Sequence, residues 1–234
     1  MKEAEKFMRA LAVMMSVSGV VLLCSCRSVR EYRGPAASGA AVWDVDNLDC
    51  IGGHRTEVLG SPAVVETVAG KAVEFDGVAD GLVVDALPLA GVERFTLEIV
   101  FRPDADGPAE QRFLHLQENG TANRILIETR LVEGGKWYLD TYIHTPKGNQ
   151  ALFDAANTHA TGKWYSAALV YDGERMRHYV DGVEEMSARL AFNPLCGGRT
   201  SIGVRMNRVY WFKGAISKVR FTPCVLERKQ FLAP

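Results

Sequence analysis

Two consecutive runs of the sequence alternate polar and apolar side chains at every second position. The polar positions are Arg124, Glu128 and Arg130 in the first run and Tyr138, Asp140, Tyr142 and His144 in the second. Because alternate side chains of a β-strand share a face, each run predicts one polar face and one buried face. Aromatic rings stack on the C–H faces of sugars, while guanidinium and carboxylate groups pair with hydroxyls or uronate carboxylates. If the two runs are neighbouring strands, their polar faces form a platform that can hold a saccharide.

A third run adds polar side chains to the same platform. Arg205 and Asn207 alternate with apolar residues, and Trp211 follows beside Tyr210. Trp211 either forms an aromatic rim to a binding groove or packs in the core under the final strand. The predicted carbohydrate-binding residues are Glu128, Arg130, Asp140, Tyr142, Arg205, Asn207 and Trp211. The alternative is a solvated sheet face whose cross-strand ion pairs contribute about 0.2–1 kcal/mol each.

These side chains must be positioned by β-strands, because the chain from Val42 onward consists of short β-type runs broken by glycine, aspartate and proline. The predicted strands span residues 73–75, 82–85, 95–102, 111–117, 124–131, 137–144, 164–171, 176–180, 201–205 and 215–222. Asp-Gly pairs at Asp172 and Asp181 predict tight hairpins between consecutive strands. His115 follows Phe113 by two residues, so we expect both on one face, where His115 is a hydrogen-bonded core or sheet residue; the alternative is that it binds a ligand. This spacing predicts an antiparallel sandwich or barrel of roughly ten to twelve strands.

Four blocks of the sequence occur in an order that is typical of one family. They read FDG at 75–77 with DGLVV at 80–84, FTLEIVFRP at 95–103, WYSAALVYDG at 164–173 with RHYVDG at 177–182, and FKGAISKVRF at 212–221 before Leu226 and Phe231. Together these blocks resemble the strands of laminin-G-like domains. That resemblance runs from residue 42 to the C-terminus. It implies an all-β fold, an antiparallel β-sandwich of the concanavalin A-like jelly-roll type.

The resemblance also implies candidate functions. One sheet of this fold commonly holds a sugar chain, which favours a carbohydrate-binding module over an enzyme. Jelly-roll polysaccharide lyases use tyrosine or histidine for proton transfer beside groups that neutralise a uronate, so Arg130, Tyr142 and His144 are candidate catalytic residues of a lyase. A glycosidase is disfavoured because the sequence lacks the Glu-x-Asp-x-x-Glu pattern of carboxylates. Laminin-G-like domains also serve in protein–protein adhesion or assembly, and the fold does not choose among these functions.

Calcium is the one cofactor that the resemblance suggests. Many laminin-G-like domains bind Ca²⁺ through aspartate side chains and backbone oxygens, and Asp76 and Asp80 flank a glycine-bearing turn. The alternative is that both aspartates only form the turn. The sequence has no C-x-x-C motif or Cys/His cluster that would suggest zinc.

The N-terminal residues predict export to the cell envelope. Basic residues at positions 2, 6 and 9 precede an apolar run at 10–23, which is the order of a signal peptide. The tetrapeptide LCSC at 23–26 resembles the lipobox of bacterial lipoproteins, so Cys26 is the predicted lipidation site. Cys24 as the lipidated residue, or an ordinary secretory signal, is the alternative. We therefore expect a lipoprotein signal peptide at 1–25, a tether at 26–41 and one domain at 42–234, on the periplasmic or outer-membrane side.

Charge and cysteine content limit the partners and cross-links. The chain has 27 basic and 28 acidic side chains and a net charge of -1, so no overall field attracts nucleic acid. The predicted partners are a polysaccharide or glycoconjugate and, through the lipid anchor, a membrane. Cys50, Cys196 and Cys224 are an odd number, so at most one disulfide joins two of them, and the sequence leaves the pairing open.

Overall fold

The computed structural model describes residues 39–68 and 70–234, and this part of the chain is almost entirely β-structure. In chain order its strands are β1 (Ala41–Asp44), β2 (Cys50–Ile51), β3 (His54–Leu59), β4 (Ala63–Thr67), β5 (Gly70–Asp76), β6 (Gly81–Val84), β7 (Phe95–Pro103), β8 (Glu110–Glu118), β9 (Arg124–Val132), β10 (Lys136–Thr145), β11 (Gly148–Phe153), β12 (His159–Ala160), β13 (Tyr165–Tyr171), β14 (Arg175–Val180), β15 (Val183–Arg189), β16 (Gly198–Ile202) and β17 (Lys213–Thr222). A single 3₁₀ turn, Arg228–Gln230, follows β17 in these ranges. The predicted signal peptide and Cys26 lie outside the described residues.

The strands form two antiparallel sheets. The first sheet has the order β15-β14-β13-β7-β17-β5-β4, with β1 also paired to β17. The second sheet has the order β11-β10-β9-β8-β16-β6-β3-β2, with β12 also paired to β10. One main apolar cluster receives side chains from both sheets. The predicted all-β antiparallel sandwich of the jelly-roll type is therefore confirmed.

Aromatic side chains fill the space between the sheets. Phe101 of the first sheet lies 4.6 Å from Phe113 and 5.2 Å from Trp137, measured between ring centroids, and both of these partners belong to the second sheet. All three side chains are fully buried. Burial of such rings contributes roughly 1.5–3 kcal/mol each, which is why alternation of apolar residues decides the sheet faces.

The two predicted Asp-Gly hairpins are present. Asp181 has φ 47° and Gly182 has φ 75°, a pair of positive values that connects β14 tightly to β15. The Asp181 side chain also accepts a hydrogen bond from the backbone N–H of Ser166 at 2.8 Å. The Asp172 turn likewise joins β13 to β14 in antiparallel pairing.

The predicted strand at 201–205 is wrong in its position. The observed strand β16 begins at Gly198 and ends at Ile202, because Gly203 has φ 79° and turns the chain out of the strand. A Cβ atom at Gly203 would lie 2.4 Å from the Phe75 ring, so only glycine fits there. Residues 203–212 therefore form a loop, which we call the 203–212 loop.

A β-bulge in β8 changes which side chains face outward. The pairing of β8 with β9 shifts register between Arg112 and Leu114, so Phe113 points into the core and His115 lies opposite Leu126 on the outer face. The expectation that His115 shares a face with Phe113 is therefore wrong. The 203–212 loop is fastened at the bulge by hydrogen bonds from Gly203 N–H to Phe113 O and from Arg112 N–H to Tyr210 O, both 2.9 Å.

Two further findings concern cysteines and membrane spans. Cys196 and Cys224 are free thiols, so neither is bonded to the other or to Cys50. Across 39–68 and 70–234, no helix has the length and apolar character that a membrane span requires.

Candidate functional site

The outer face of the second sheet carries the polar side chains of β9 and β10. These strands pair in antiparallel register, with Asp140 opposite Glu128 and Tyr138 opposite Arg130. The intervening side chains, including those of Ile125, Ile127, Trp137, Leu139 and Ile143, are buried in the core. The alternation in sequence thus produces the predicted polar face.

One cavity of about 250 Å³, which we call the sheet cavity, lies on this face. Its lining residues are Arg112, Arg124, Leu126, Glu128, Arg130, Asp140, Tyr142, Ala151, Phe153 and Arg205. Five of the seven predicted binding residues thus share one cavity, although they come from β9, β10 and the 203–212 loop. Their role in binding remains a prediction.

A second cavity of about 290 Å³, which we call the loop cavity, adjoins the first. Arg205 lines both cavities, and Asn207, the sixth predicted residue, lines the loop cavity with His115 and Gln117. Trp211, the seventh, packs against Leu59, Val83 and Val204 in a small apolar cluster.

An ion-pair network crosses the floor of the sheet cavity. Arg130 contacts Asp140 at 2.8 Å and Glu110 at 2.6 Å, and Arg112 contacts Glu128 at 2.8 Å. Only 3% of the Glu128 side chain and 6% of the Asp140 side chain are exposed. The two carboxylates are therefore largely removed from water and depend on these two arginines for compensation.

Burial changes the protonation of this pair. Burial raises the pKa of Glu128 to about 7, and the nearby Asp140 charge adds to the rise, while Arg112 and Arg130 oppose it. Burial likewise raises the pKa of Asp140, although Arg130 opposes the change. Glu128 therefore changes its charge near neutral pH.

Stability should depend on pH through Glu128. Since its folded pKa of about 7 exceeds the ordinary value of 4.5, the folded state binds more protons than the unfolded state between these values. Stability is then lost as pH rises through this window, by up to about 3 kcal/mol. Glu128→Gln is expected to flatten this loss in urea unfolding at pH 5, 6 and 7. The exposed control Glu57→Gln should follow the wild type, and an unchanged slope for Glu128→Gln would contradict the assignment.

Two arginines of the cavity stack on aromatic rings. The Arg112 guanidinium lies 3.6 Å from the centroid of Tyr210, and the Arg124 guanidinium lies 4.9 Å from the centroid of Tyr142. Arg112 was not predicted to belong to the site. The bulge that places its side chain on the outer face of β8 cannot be recognised from the amino-acid sequence. The only signal for Arg112 was a charged side chain at the second position of the predicted strand 111–117.

The three candidate lyase residues lie on the same face. Arg130 is held by carboxylates, whereas the rings of Tyr142 and His144 are stacked with centroids 6.4 Å apart. The Nδ1 atom of His144 is buried and has no hydrogen-bond partner among the described residues. Their role in proton transfer stays a prediction.

The two aspartates considered for calcium hold a turn instead. Asp76 Oδ1 accepts hydrogen bonds from the backbone N–H groups of Val78, Ala79 and Asp80 at 2.8–3.0 Å. The two Asp80 oxygens accept from the N–H groups of Ser61 and Asp76. Burial acts to raise the pKa of Asp76, but these backbone donors outweigh it and lower the value. No group of three or more His, Cys, Asp or Glu side chains in the described ranges could hold a metal, so these residues do not fit Ca²⁺.

Known proteins of similar structure share this fold. Domain 4 of AbnA, an extracellular arabinanase from Geobacillus stearothermophilus solved with arabinotriose, matches with a TM-score of 0.60 and 19% identity, over 81% of this chain and 94% of that one. The binding domain of Paraclostridial Mosquitocidal Protein 1 matches with a TM-score of 0.64 and 11% identity, over 82% of this chain and 50% of that one, so this chain spans half of that protein's length. A pentraxin from Limulus polyphemus matches with a TM-score of 0.55 and 16% identity, over 68% and 78%. At these identities the likeness shows the fold alone.

The sequence itself matches a family model over most of the folded part. No curated protein sequence matches the chain. A laminin G family model, described as the concanavalin A-like lectin/glucanases superfamily, matches residues 76–230. Because this match covers more than half of the chain, the protein belongs to the laminin G branch of the concanavalin A-like lectin/glucanases superfamily.

Proposed function

We propose that the chain is an exported, lipid-anchored carbohydrate-binding module that holds a glycan on the outer face of its second sheet. The observation that carries the proposal is the sheet cavity, in which Arg130, Asp140, Tyr142 and Arg205 converge from separate segments. Charged planar groups beside an aromatic ring are the arrangement that pairs with sugar hydroxyls and stacks on sugar C–H faces. The structurally similar AbnA domain, solved with arabinotriose, is a precedent for a sugar ligand on this fold.

A glycan array followed by calorimetry of the purified full chain tests binding. Tyr142→Ala and Asp140→Asn are expected to weaken binding of the best array ligand by about ten-fold or more, since each loses a contact inside the cavity. The matched control is Trp164→Ala, because Trp164 is a partly buried aromatic residue beside β13 of the first sheet. Equal loss in Trp164→Ala and Tyr142→Ala, or no glycan bound at all, would contradict the proposal.

The lipid anchor rests on the sequence before the described residues. Mass spectrometry of the mature N-terminus from membrane extracts is expected to find a lipidated cysteine at position 26, and Cys26→Ser should release the chain from the membrane fraction. An unmodified N-terminus would leave a secreted binding module without the anchor.

A further inference from the structure

The two adjoining cavities contain buried hydrogen-bond donors without acceptors. Arg112 Nη1, Arg124 Nε and Arg205 Nε are each shielded from solvent and have no hydrogen-bond partner in the described part of the chain. A buried donor that lacks a partner costs roughly 1–3 kcal/mol, so native proteins rarely leave several together. All three guanidinium groups line the sheet cavity, where an acceptor group supplied by a bound ligand would satisfy these N–H groups.

His115 adds a fourth donor of a different kind. Only 1% of this residue is exposed, and its Nδ1 accepts a hydrogen bond from the backbone N–H of Met206 at 2.9 Å. Burial, followed by the positive charges of Arg205 and Arg124, lowers the pKa of His115 to about 3, although the Gln117 side chain opposes the shift. The ring is therefore neutral near pH 7. Since Nδ1 is the acceptor, Nε2 carries the proton, and it has no partner of normal hydrogen-bond geometry among the described residues.

The positive charge around these donors is not fully compensated. Asp140 and Glu110 pair with Arg130, and Glu128 pairs with Arg112. Neither Arg124 nor Arg205 has a carboxylate within ion-pair distance in the ranges that the structure describes. Burial is the largest cause that lowers the pKa of Arg205, the charges of Arg112 and Arg124 lower it further, and Glu128 opposes the shift.

Two of the three arginines are also held in place before any ligand arrives. Arg112 is stacked on Tyr210, and Arg124 is stacked on Tyr142 and donates from Nη1 to the backbone oxygen of Ala122 at 2.7 Å. Fixed side chains lose little conformational entropy on binding, so an anion can be held by a preorganised site.

We propose that the bound glycan is acidic and that its carboxylate or sulfate group occupies an anion pocket formed by Arg112, Arg124, Arg205 and His115. This inference rests on the proposed function and adds the chemical class of the sugar. Guanidinium groups pair with planar carboxylates and with sulfates through two N–H groups at once, and the His115 N–H supplies a further donor. The neutral part of the glycan then extends over Tyr142 in the sheet cavity.

Calorimetry of the full chain with matched oligosaccharides tests the anion pocket. The probes are an oligogalacturonide, its methyl-esterified counterpart without the charge, and a sulfated oligosaccharide. At least one acidic probe is expected to bind about ten-fold or more tightly than the methyl ester. If only the carboxylated probe binds, the pocket takes a carboxylate. If only the sulfated probe binds, it takes a sulfate.

Variants connect the preference to the named residues. Arg205→Gln and Arg124→Gln should remove the preference for the acidic probe, whereas the control Arg189→Gln, an exposed arginine on β15, should retain it. Thermal unfolding of each variant establishes that it is folded. Three results would overturn the anion pocket but leave glycan binding intact. They are array ligands that are all neutral, equal affinity for the ester and the acid, and an unchanged preference in both variants. Failure to bind any glycan would instead contradict the proposed function.

Discussion

Arg130→Met is expected to lower the free energy of unfolding by about 3–5 kcal/mol at pH 7, the cost of leaving buried charges unpaired. Arg130 lies 2.8 Å from Asp140 and 2.6 Å from Glu110, and it is 3.7 Å from Glu128. Methionine fills a similar volume but offers no charge, so the Asp140 carboxylate loses its principal partner. Urea unfolding at pH 7 measures the loss.

The pH dependence of the variant distinguishes a charge effect from a packing effect. Because burial raises the pKa of both Asp140 and Glu128, lowering the pH protonates them and should reduce the penalty of Arg130→Met. Arg189→Met is the matched control, since Arg189 pairs with Glu174 on the surface with 76% of its side chain exposed. That control should change stability by no more than about 0.5 kcal/mol. A penalty for Arg130→Met below about 1 kcal/mol, or one that grows at low pH, contradicts the network.

Arg220→Met is the second change with a large expected effect, again about 3–5 kcal/mol. Arg220 of β17 pairs with Glu98 of β7, whose side chain is fully buried, at 2.8 Å between Nη2 and Oε1. The pair also holds the C-terminal tail, because Leu232 N–H donates to Glu98 and Arg220 donates to the Gln230 oxygen. Without Arg220, the Glu98 charge is buried without its partner and the tail loses an attachment.

A double-mutant cycle, followed by thermal and urea unfolding, measures the interaction free energy between Glu98 and Arg220. Glu98→Leu combined with Arg220→Met should recover at least about half of the loss, because two apolar side chains replace a buried ion pair at little cost. Arg228→Met in the same tail removes a surface pair with Glu184 and should cost no more than about 0.5 kcal/mol. Additive effects of Glu98→Leu and Arg220→Met would show that the two side chains are not coupled.

The central strands of both sheets could be predicted from the sequence. The predicted runs 95–102, 124–131 and 137–144 differ by no more than one residue at either end from β7, β9 and β10. In these strands apolar residues recur at every second position and form the buried face. This alternation is the clearest sequence signal of a β-strand. The polar face of β9 and β10 follows from the same alternation.

Edge strands could not be predicted in the same way. The middle residues of β15 (Val183–Arg189) are all partly buried, and β4 (Ala63–Thr67) is largely exposed. An edge strand buries no complete face, so its residues show no alternation, and its pairing depends on a neighbour that is distant in sequence.

The rest of the site depends on two local irregularities. The bulge at Phe113 moves His115 and Arg112 onto the polar face, and Gly203 turns the chain so that Arg205 reaches the cavity from a loop. Neither follows from the period of a strand, because one extra residue in a strand changes the face of every later side chain. Arg205 was assigned to the polar face, but on the basis of a strand that the chain does not form.

Amide and arginine N–H chemical shifts in the full chain, followed while an acidic array ligand is added, test the central claim most directly. We predict that the largest changes occur at Arg112, Arg124 and Arg205, around the Tyr142 ring, on the outer face of the second sheet. Changes confined to the first sheet, or spread evenly over the surface, would contradict a glycan site in the sheet cavity.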